Sequence, residues 1–304
     1  MKILVTGANG LLGQKLVSLI VERDEHELIA TGRGENRNTL YQEKYTYAAL
    51  DVADEASVQE VFDKYQPQVV IHTAAMTNVD QCEDEREACW QLNVHAVEYL
   101  IKACAKYNCF LLHLSTDFIF DGADGPYDED AVANPVSYYG ESKLASESLL
   151  LNSKIQWAIA RTVLVYGIAH DMSRSNIILW VKKSLEEGKE INVVNDQWRT
   201  PTLAEDLAVG CYLIATKKAE GIFNISGKDF LSPYDMAVKT ANYFKLDKSN
   251  LNETDGSKFS QKAKRPPRTG FIIDKARRVL GYEPHSFEEG IALLHTQLKD
   301  RGQS

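Results

Sequence analysis

Near its start the chain reads Lys2-Ile-Leu-Val-Thr6, then Gly7-Ala-Asn-Gly10-Leu-Leu-Gly13. A short apolar strand runs straight into three evenly spaced glycines. A helical pattern follows, with Leu12, Leu16, Leu19 and Ile20 on one side. Gly7 permits a tight turn, Gly10 lets the backbone approach a pyrophosphate, and Gly13 lets the helix pack on the strand. The helix N-terminus then offers free amides and a positive dipole end to phosphates. The spacing is G-x-x-G-x-x-G rather than G-x-G-x-x-G, and a glycine triplet alone could be only a tight strand-to-helix turn. Set between a hydrophobic strand and an amphipathic helix, it predicts a dinucleotide site formed by Gly7, Asn9, Gly10, Leu11, Leu12 and Gly13.

The rest of the first half agrees with that reading. Short apolar runs at Leu28–Thr31, Tyr47–Leu50, Val69–His72, Phe110–Leu114 and Ala158–Leu164 alternate with helical stretches at Ala56–Lys64, Arg86–Lys106 and Tyr138–Leu151. Strands separated by helices imply right-handed crossovers and a parallel sheet covered on both faces. The expected fold is therefore α/β, a Rossmann-type doubly wound parallel sheet. Ligands of such sheets bind beyond the carboxyl ends of the strands. The glycine turn, Arg33, Asp51, Ala74 and Thr116 all fall at such ends. After about residue 165 the alternation weakens, with helices expected at Ser175–Glu187, Leu203–Thr216, Pro233–Phe244 and Ser286–Lys299, and strands at Ile191–Val194 and Ile222–Ile225. This half reads as a smaller α/β substrate lobe. The division is residues 1–165 and 166–304, approximate because the chain crosses between lobes.

Tyr139 and Lys143 stand four apart on an expected helix, so they project from one face. A free tyrosine hydroxyl has a pKa of roughly 10, and a neighbouring ammonium would pull it toward neutrality. Alone, Y-x-x-x-K is a weak pattern that a surface helix can show by chance. It gains weight from the glycine turn and from Ser115-Thr116-Asp117 at the end of an apolar run.

Together these elements resemble the extended short-chain dehydrogenase/reductase superfamily and, within it, the dTDP-4-dehydrorhamnose reductase-like group. Leu114-Ser-Thr-Asp-Phe-Ile-Phe-Asp-Gly122 is similar to that group's fifth-strand signature, and Tyr138-Tyr-Gly-Glu-Ser-Lys143 to its active-site helix. Asn195-Asp-Gln-Trp-Arg-Thr-Pro-Thr202 resembles its D-Q-x-x-x-P-T segment, and Arg265-Pro266 with Ile273-Asp274 and Leu280-Gly281 its C-terminal pattern. The resemblance covers nearly the whole chain. It implies that Tyr139 is the general acid, that Lys143 lowers its pKa and binds the nicotinamide ribose, and that Thr116 places a hydroxyl on the substrate carbonyl oxygen. Ser115 and Tyr138 are the neighbours most easily mistaken for these residues.

Cofactor choice turns on Ile29-Ala-Thr-Gly-Arg33, where an NAD site usually carries an acid for the ribose 2′-hydroxyl. No acid occupies residues 28–33. Arg33 could pair with a 2′-phosphate or stack on adenine, unless it is simply solvated. NADP(H) is the expected cofactor, with some NAD(H) tolerance. Asp51 and Val52 resemble the family's adenine contact, although an ordinary turn aspartate competes. Ala74 and Ala75 are small enough for backbone to pass under the cofactor. His72, inside an apolar strand, reads as a core histidine rather than a base. Asn93 looks like the family asparagine that tethers the active-site helix, against a plain buried polar residue. Arg265 and Arg268 flank Pro266-Pro267 and suit a substrate diphosphate, unless they are only a basic surface loop. Trp198 and Arg199 are bulkier than the group's usual residues, and an indole there could close the sugar or base pocket.

Composition narrows the partners. A net charge of −9 without a basic stripe argues against nucleic acid. The 304 residues, 44% hydrophobic and 25% charged, hold no run long enough to cross a bilayer. The absence of a leader pattern and the five cysteines without zinc-type spacing point to reduced thiols in the cytoplasm, and no metal is expected. The expected activity is NADP(H)-dependent reduction of a 4-keto nucleotide-sugar, dTDP-4-dehydrorhamnose to dTDP-rhamnose first among them. A nucleotide-sugar epimerase and an NADP-binding regulatory subunit without turnover are the alternatives, and a homodimer is an assembly open to the chain.

Overall fold

The computed structural model describes residues 1–169, 176–258 and 262–302. The first half runs β1 (Lys2–Thr6), α1 (Leu11–Arg23), β2 (Glu27–Gly32), β3 (Thr46–Ala49), α2 (Glu55–Tyr65) and β4 (Val69–His72). It continues with α3 (Val79–Asp84), α4 (Arg86–Trp90), α5 (Ala96–Tyr107), β5 (Phe110–Thr116), α6 (Tyr138–Leu151), β6 (Trp157–Thr162) and β7 (Val165–Tyr166). The second half contains α7 (Ile177–Glu186), β8 (Ile191–Val194), β9 (Thr202–Leu203), α8 (Ala204–Lys217), β10 (Gly221–Asn224) and α9 (Pro233–Phe244). β11 (Leu251–Thr254), α10 (Asp274–Leu280) and α11 (Phe287–Asp300) complete it. The expected start of α7 at Ser175 lies outside the described residues.

Seven strands form one parallel sheet in the order β10-β6-β5-β4-β1-β2-β3. That is the doubly wound order, with the reversal between β1 and β4. Ile3, Val5, Ile71, Leu112 and Ala160 point to one face with α1 and α8. Leu4, Val70, Leu111 and Ile159 point to the other, with α2 and α5. Both faces are therefore dry, which is why these strands read as continuous apolar runs. Elements α7, α9, α11, β8 and β11 form a separate packed group, anchored by Ile178, Met236, Leu294, Val181 and Leu251. Capping boxes at Ser232/Asp235 and Ser286/Glu289 start α9 and α11.

Three local readings change. The stretch expected as one helix over Arg86–Lys106 contains a wide π turn at Gln91–His95 between α4 and α5. Such turns re-aim side chains, and this one carries Asn93. The strand expected to reach Leu164 stops at Thr162, because Leu164 takes a left-handed φ of 36°. The Ile222–Ile225 strand, expected in the smaller lobe, is β10, the edge of the main sheet beside β6. Residues 204–224 thus return to the large sheet and its helical layer.

Candidate active site

The glycine turn joins β1 to α1. Gly7 has φ 69°, and a Cβ there would lie 2.7 Å from Thr73 Oγ1 and 2.9 Å from the Ala74 amide nitrogen. A Cβ on Gly13 would meet the Gly7 carbonyl oxygen at 2.2 Å. Gly10 is exposed and caps α1 without any side-chain hydrogen bond, so the first amides of the helix face outward. A turn that excludes side chains beneath an uncapped helix end fits the pyrophosphate of a dinucleotide. Leu11 and Leu12 open that helix. Asn9 is engaged differently: its side chain donates to Glu35 O (3.0 Å) and Tyr47 Oη (3.1 Å) and accepts from the Arg37 amide (2.8 Å). It shapes the loop after β2, on which Arg33 stands exposed. Asp51 accepts the Ala53 amide at 3.0 Å, as a turn aspartate does, and Val52 is buried. Ala74 and Ala75 are half-buried beyond β4.

Across the turn, β5 ends at Thr116 and α6 begins at Tyr138, with Ser137 capping the helix through the Gly140 amide at 3.2 Å. The Thr116 side chain lies beside the Tyr139 phenol. Tyr139 is 7% exposed, edge-on to Phe118 at 5.7 Å and packed against Cys82 and Cys89. Tyr138 instead lies under the Arg86 guanidinium at 4.7 Å and beside Trp90, on the outer side of the helix. Ser115 is buried with no partner for its hydroxyl, so neither neighbour shares the environment of Thr116 and Tyr139. Asn93 accepts the Met76 amide (2.8 Å) and donates to Met76 O (3.1 Å) and Ser142 Oγ (3.0 Å). It ties the segment after β4 to α6.

The electrostatics depart from the expectation that Lys143 lowers the Tyr139 pKa. Burial holds the phenol well above its ordinary value, with the neighbouring Thr116 hydroxyl opposing. Burial also pushes the Lys143 amine down to about 8, with Glu147 and Cys89 partly restoring it. Burial disfavours the charged form of both groups. Near neutral pH the tyrosine is therefore protonated and able to donate.

A strap from Lys262 to Thr269 runs beside α3 and the end of β5. The Arg265 fork is occupied by Asp80 of α3 (3.2 and 2.8 Å), which holds that carboxyl down to about 2. Lys262 pairs with Asp84 at 2.6 Å. Arg268 is exposed, its guanidinium 5.8 Å from the Trp198 ring and 5.1 Å from Phe230. Trp198 pairs with Arg268 as an isolated bridge, its amide donating to Pro267 O at 2.6 Å. Arg199 is buried. It donates to Pro266 O at 2.7 Å and Pro267 O at 3.2 Å, with Nε 3.6 Å from Asp117. Asp117 also accepts from Thr116 at 3.1 Å and from Thr269. Sequence reasoning missed Asp80, Asp117 and the clamping role of Arg199, since their partners are distant in the chain.

The RmlD substrate binding domain model matches residues 1–299. The chain belongs to this family. Within the RmlD family it is 33% identical to methionine adenosyltransferase 2 subunit beta of Xenopus tropicalis over 253 residues, which is 82% of this chain and 73% of that one. A crystal structure of a dTDP-4-dehydrorhamnose reductase from Clostridium acetobutylicum superposes with TM-score 0.86 at 28% identity, covering 98% of this chain and all of the other. The dTDP-4-dehydrorhamnose reductase of Bacillus anthracis, solved in complex with NADP, gives 0.82 at 27% identity, covering 97% and 99%. The RmlD-family relationship thus extends along the glycine turn, the Tyr139 helix and the strap alike.

Proposed function

We propose that the protein reduces a 4-keto nucleotide-sugar, dTDP-4-dehydrorhamnose to dTDP-rhamnose, with NADPH. The observation that carries this reading is the Thr116–Tyr139–Lys143 group set across the sheet's reversal point from the uncapped glycine turn. NADPH, when bound, supplies the hydride. Thr116 and Tyr139 hold the substrate carbonyl oxygen, and Tyr139, kept protonated by its burial, delivers the proton. Lys143 binds the nicotinamide ribose and, with an amine near pKa 8, resupplies a proton toward the phenol. Gly7, Asn9, Gly10, Leu11, Leu12 and Gly13 hold the pyrophosphate region, Asn9 indirectly through the loop it fixes. Arg33 meets the 2′-phosphate, while Asp51 and Val52 border the adenine. Ala74, Ala75 and Asn93 form the floor. Arg268 with Trp198 faces the nucleotide diphosphate, and Arg265 joins it by exchanging Asp80 for phosphate oxygens. Residues 1–165, with α8 and β10, hold the cofactor, and the remaining second-half elements hold the substrate.

A second reading has its own support, because curated relatives at 30–33% identity are named as a methionine adenosyltransferase subunit. One assay separates the two: NADPH absorbance followed with 4-keto dTDP-, UDP- and GDP-deoxysugars. Rapid oxidation with the dTDP compound supports the reductase. Firm NADPH binding without turnover on any of them favours a regulatory subunit, and purification with tightly held oxidised cofactor favours an epimerase.

A further inference from the structure

The catalytic lysine has an unusual anchor. Lys143 is 2% exposed, and among the described residues its side chain makes one hydrogen-bond contact, to His113 Nε2, 3.1 Å away. Glu147, the carboxylate whose charge acts on Lys143, is committed to Arg161 of β6 through two contacts at 3.0 and 2.8 Å. The Ser146 hydroxyl donates to the Lys143 carbonyl at 2.7 Å, and its oxygen lies 3.0 Å from His113 Nε2. An ammonium carries only donors. Beside a charged Lys143, Nε2 is the bare, accepting nitrogen, and Nδ1 carries a proton that finds no partner among the described residues.

His113 is itself fixed from the cofactor side of the sheet. It pairs in register with His72 across β4 and β5, and the two rings stack at 5.4 Å. Thr6 Oγ1 accepts the Thr73 and Ala74 amides at 3.2 and 3.4 Å, so its hydrogen goes to His72 Nδ1 at 2.8 Å. Thr6 directly precedes Gly7. A buried line of groups thus joins the glycine turn to the lysine through two imidazoles.

We infer that His113 is a positioning residue for Lys143: its neutral imidazole pins the end of the lysine stem and accepts a hydrogen bond that keeps the amine charged. The titratable groups acting on this pair are His72 from β4, Cys89 from α4 and Glu147 from α6, the last paired with Arg161 of β6. Burial and the Lys143 charge both hold His113 uncharged, so it accepts rather than repels. Loss of the acceptor leaves the ammonium buried with less support, and its pKa falls further.

The inference rests on the catalytic assignment of Lys143, but its test does not need turnover. In protein labelled with [ε-13C]lysine, the Lys143 signal is assigned by its loss in Lys143→Met and titrated with pH. Wild type should show a midpoint near the expected value of about 8. His113→Leu should lower it by about one unit or more, and His113→Gln, which restores an acceptor, should hold it within about half a unit of wild type. An unchanged midpoint in His113→Leu overturns the inference, and so does a rise, which would mean that solvent had merely entered. If His113→Leu does not fold, [15N]histidine spectra of the wild type decide. The His113 Nε2 resonance should be that of an unprotonated nitrogen near neutral pH, and a protonated Nε2 overturns the inference. Absence of wild-type turnover would instead sink the reductase reading and leave the Lys143 titration to be judged on its own.

Discussion

Acidification should destabilise the fold before its exposed carboxylates titrate, because two neutral imidazoles are sealed inside the sheet. Burial, reinforced by the Lys143 charge, takes His72 from 6.5 down to about 3. Unfolded, it gains its proton near 6.5; folded, only near 3. Between these values the unfolded state binds more protons, so stability falls as pH falls. The full shift corresponds to roughly 5 kcal/mol. At about pH 5 the loss relative to about pH 8 is on the order of 2 kcal/mol from His72 alone. His113, depressed by the same burial, adds in the same direction. Ordinary carboxylates contribute little at that pH, while Asp117, Glu129 and Asp206, raised by burial, act in the opposite direction, so the His72 share is read from the His72→Gln difference. Urea denaturation at the two pH values reads the effect: with an m of about 3 kcal/mol/M, the His72 share lowers the midpoint by about 0.7 M. His72→Gln should remove that share of the pH dependence, whatever its own cost at about pH 8. A pH dependence left intact by His72→Gln would refute the reasoning, as would a wild type equally stable at both values.

Tyr139→Phe should lower kcat by about 100-fold or more while NADPH affinity, read by fluorescence titration, changes by less than about 2-fold; a variant keeping a tenth of wild-type turnover would exclude Tyr139 as the principal acid. Arg33→Ala should weaken NADPH by about one to two decades and NADH far less, measured as two dissociation constants, if the guanidinium meets the 2′-phosphate. Arg268→Ala should raise KM about 10-fold with kcat nearly unchanged, since a contact equally strong in ground and transition states affects only binding. Asp80→Asn should lower KM, because it frees the Arg265 fork; a KM insensitive to Asp80→Asn, Arg265→Ala and Arg268→Ala would leave the strap a structural feature.

The main sheet was legible because its signal is local. A strand buried on both faces is a short apolar run, and β1, β4 and α6 fall at Lys2–Thr6, Val69–His72 and Tyr138–Leu151 as the pattern predicts. The glycine turn was readable for the same reason, since the constraint on Gly13 comes from Gly7, a few residues away. The assignment of β10 was not. A run such as Gly221–Asn224 looks alike at the edge of a large sheet or inside a small lobe, and only its pairing with β6 decides. The π turn at Asn93 escaped because its cause, the contacts to Met76 and Ser142, lies outside the helix that it interrupts.

The same distinction explains the electrostatic correction. Spacing puts Lys143 one turn from Tyr139, and charge proximity alone predicts a lowered phenol pKa. Burial depends on everything packed around the pair, and here it governs both groups. The strap shows how far such non-local coupling reaches. Asp117 accepts from Thr116 at the end of β5 and faces Arg199 at 3.6 Å, and Arg199 in turn holds the Pro266 and Pro267 carbonyls. Removing one member of a buried pair leaves the other charge without compensation, at a cost of about 3–5 kcal/mol. Arg199→Met should therefore disturb the strap and the Thr116 hydroxyl together, lowering kcat as well as raising KM. A loss confined to KM would show that the strap and Thr116 are positioned independently.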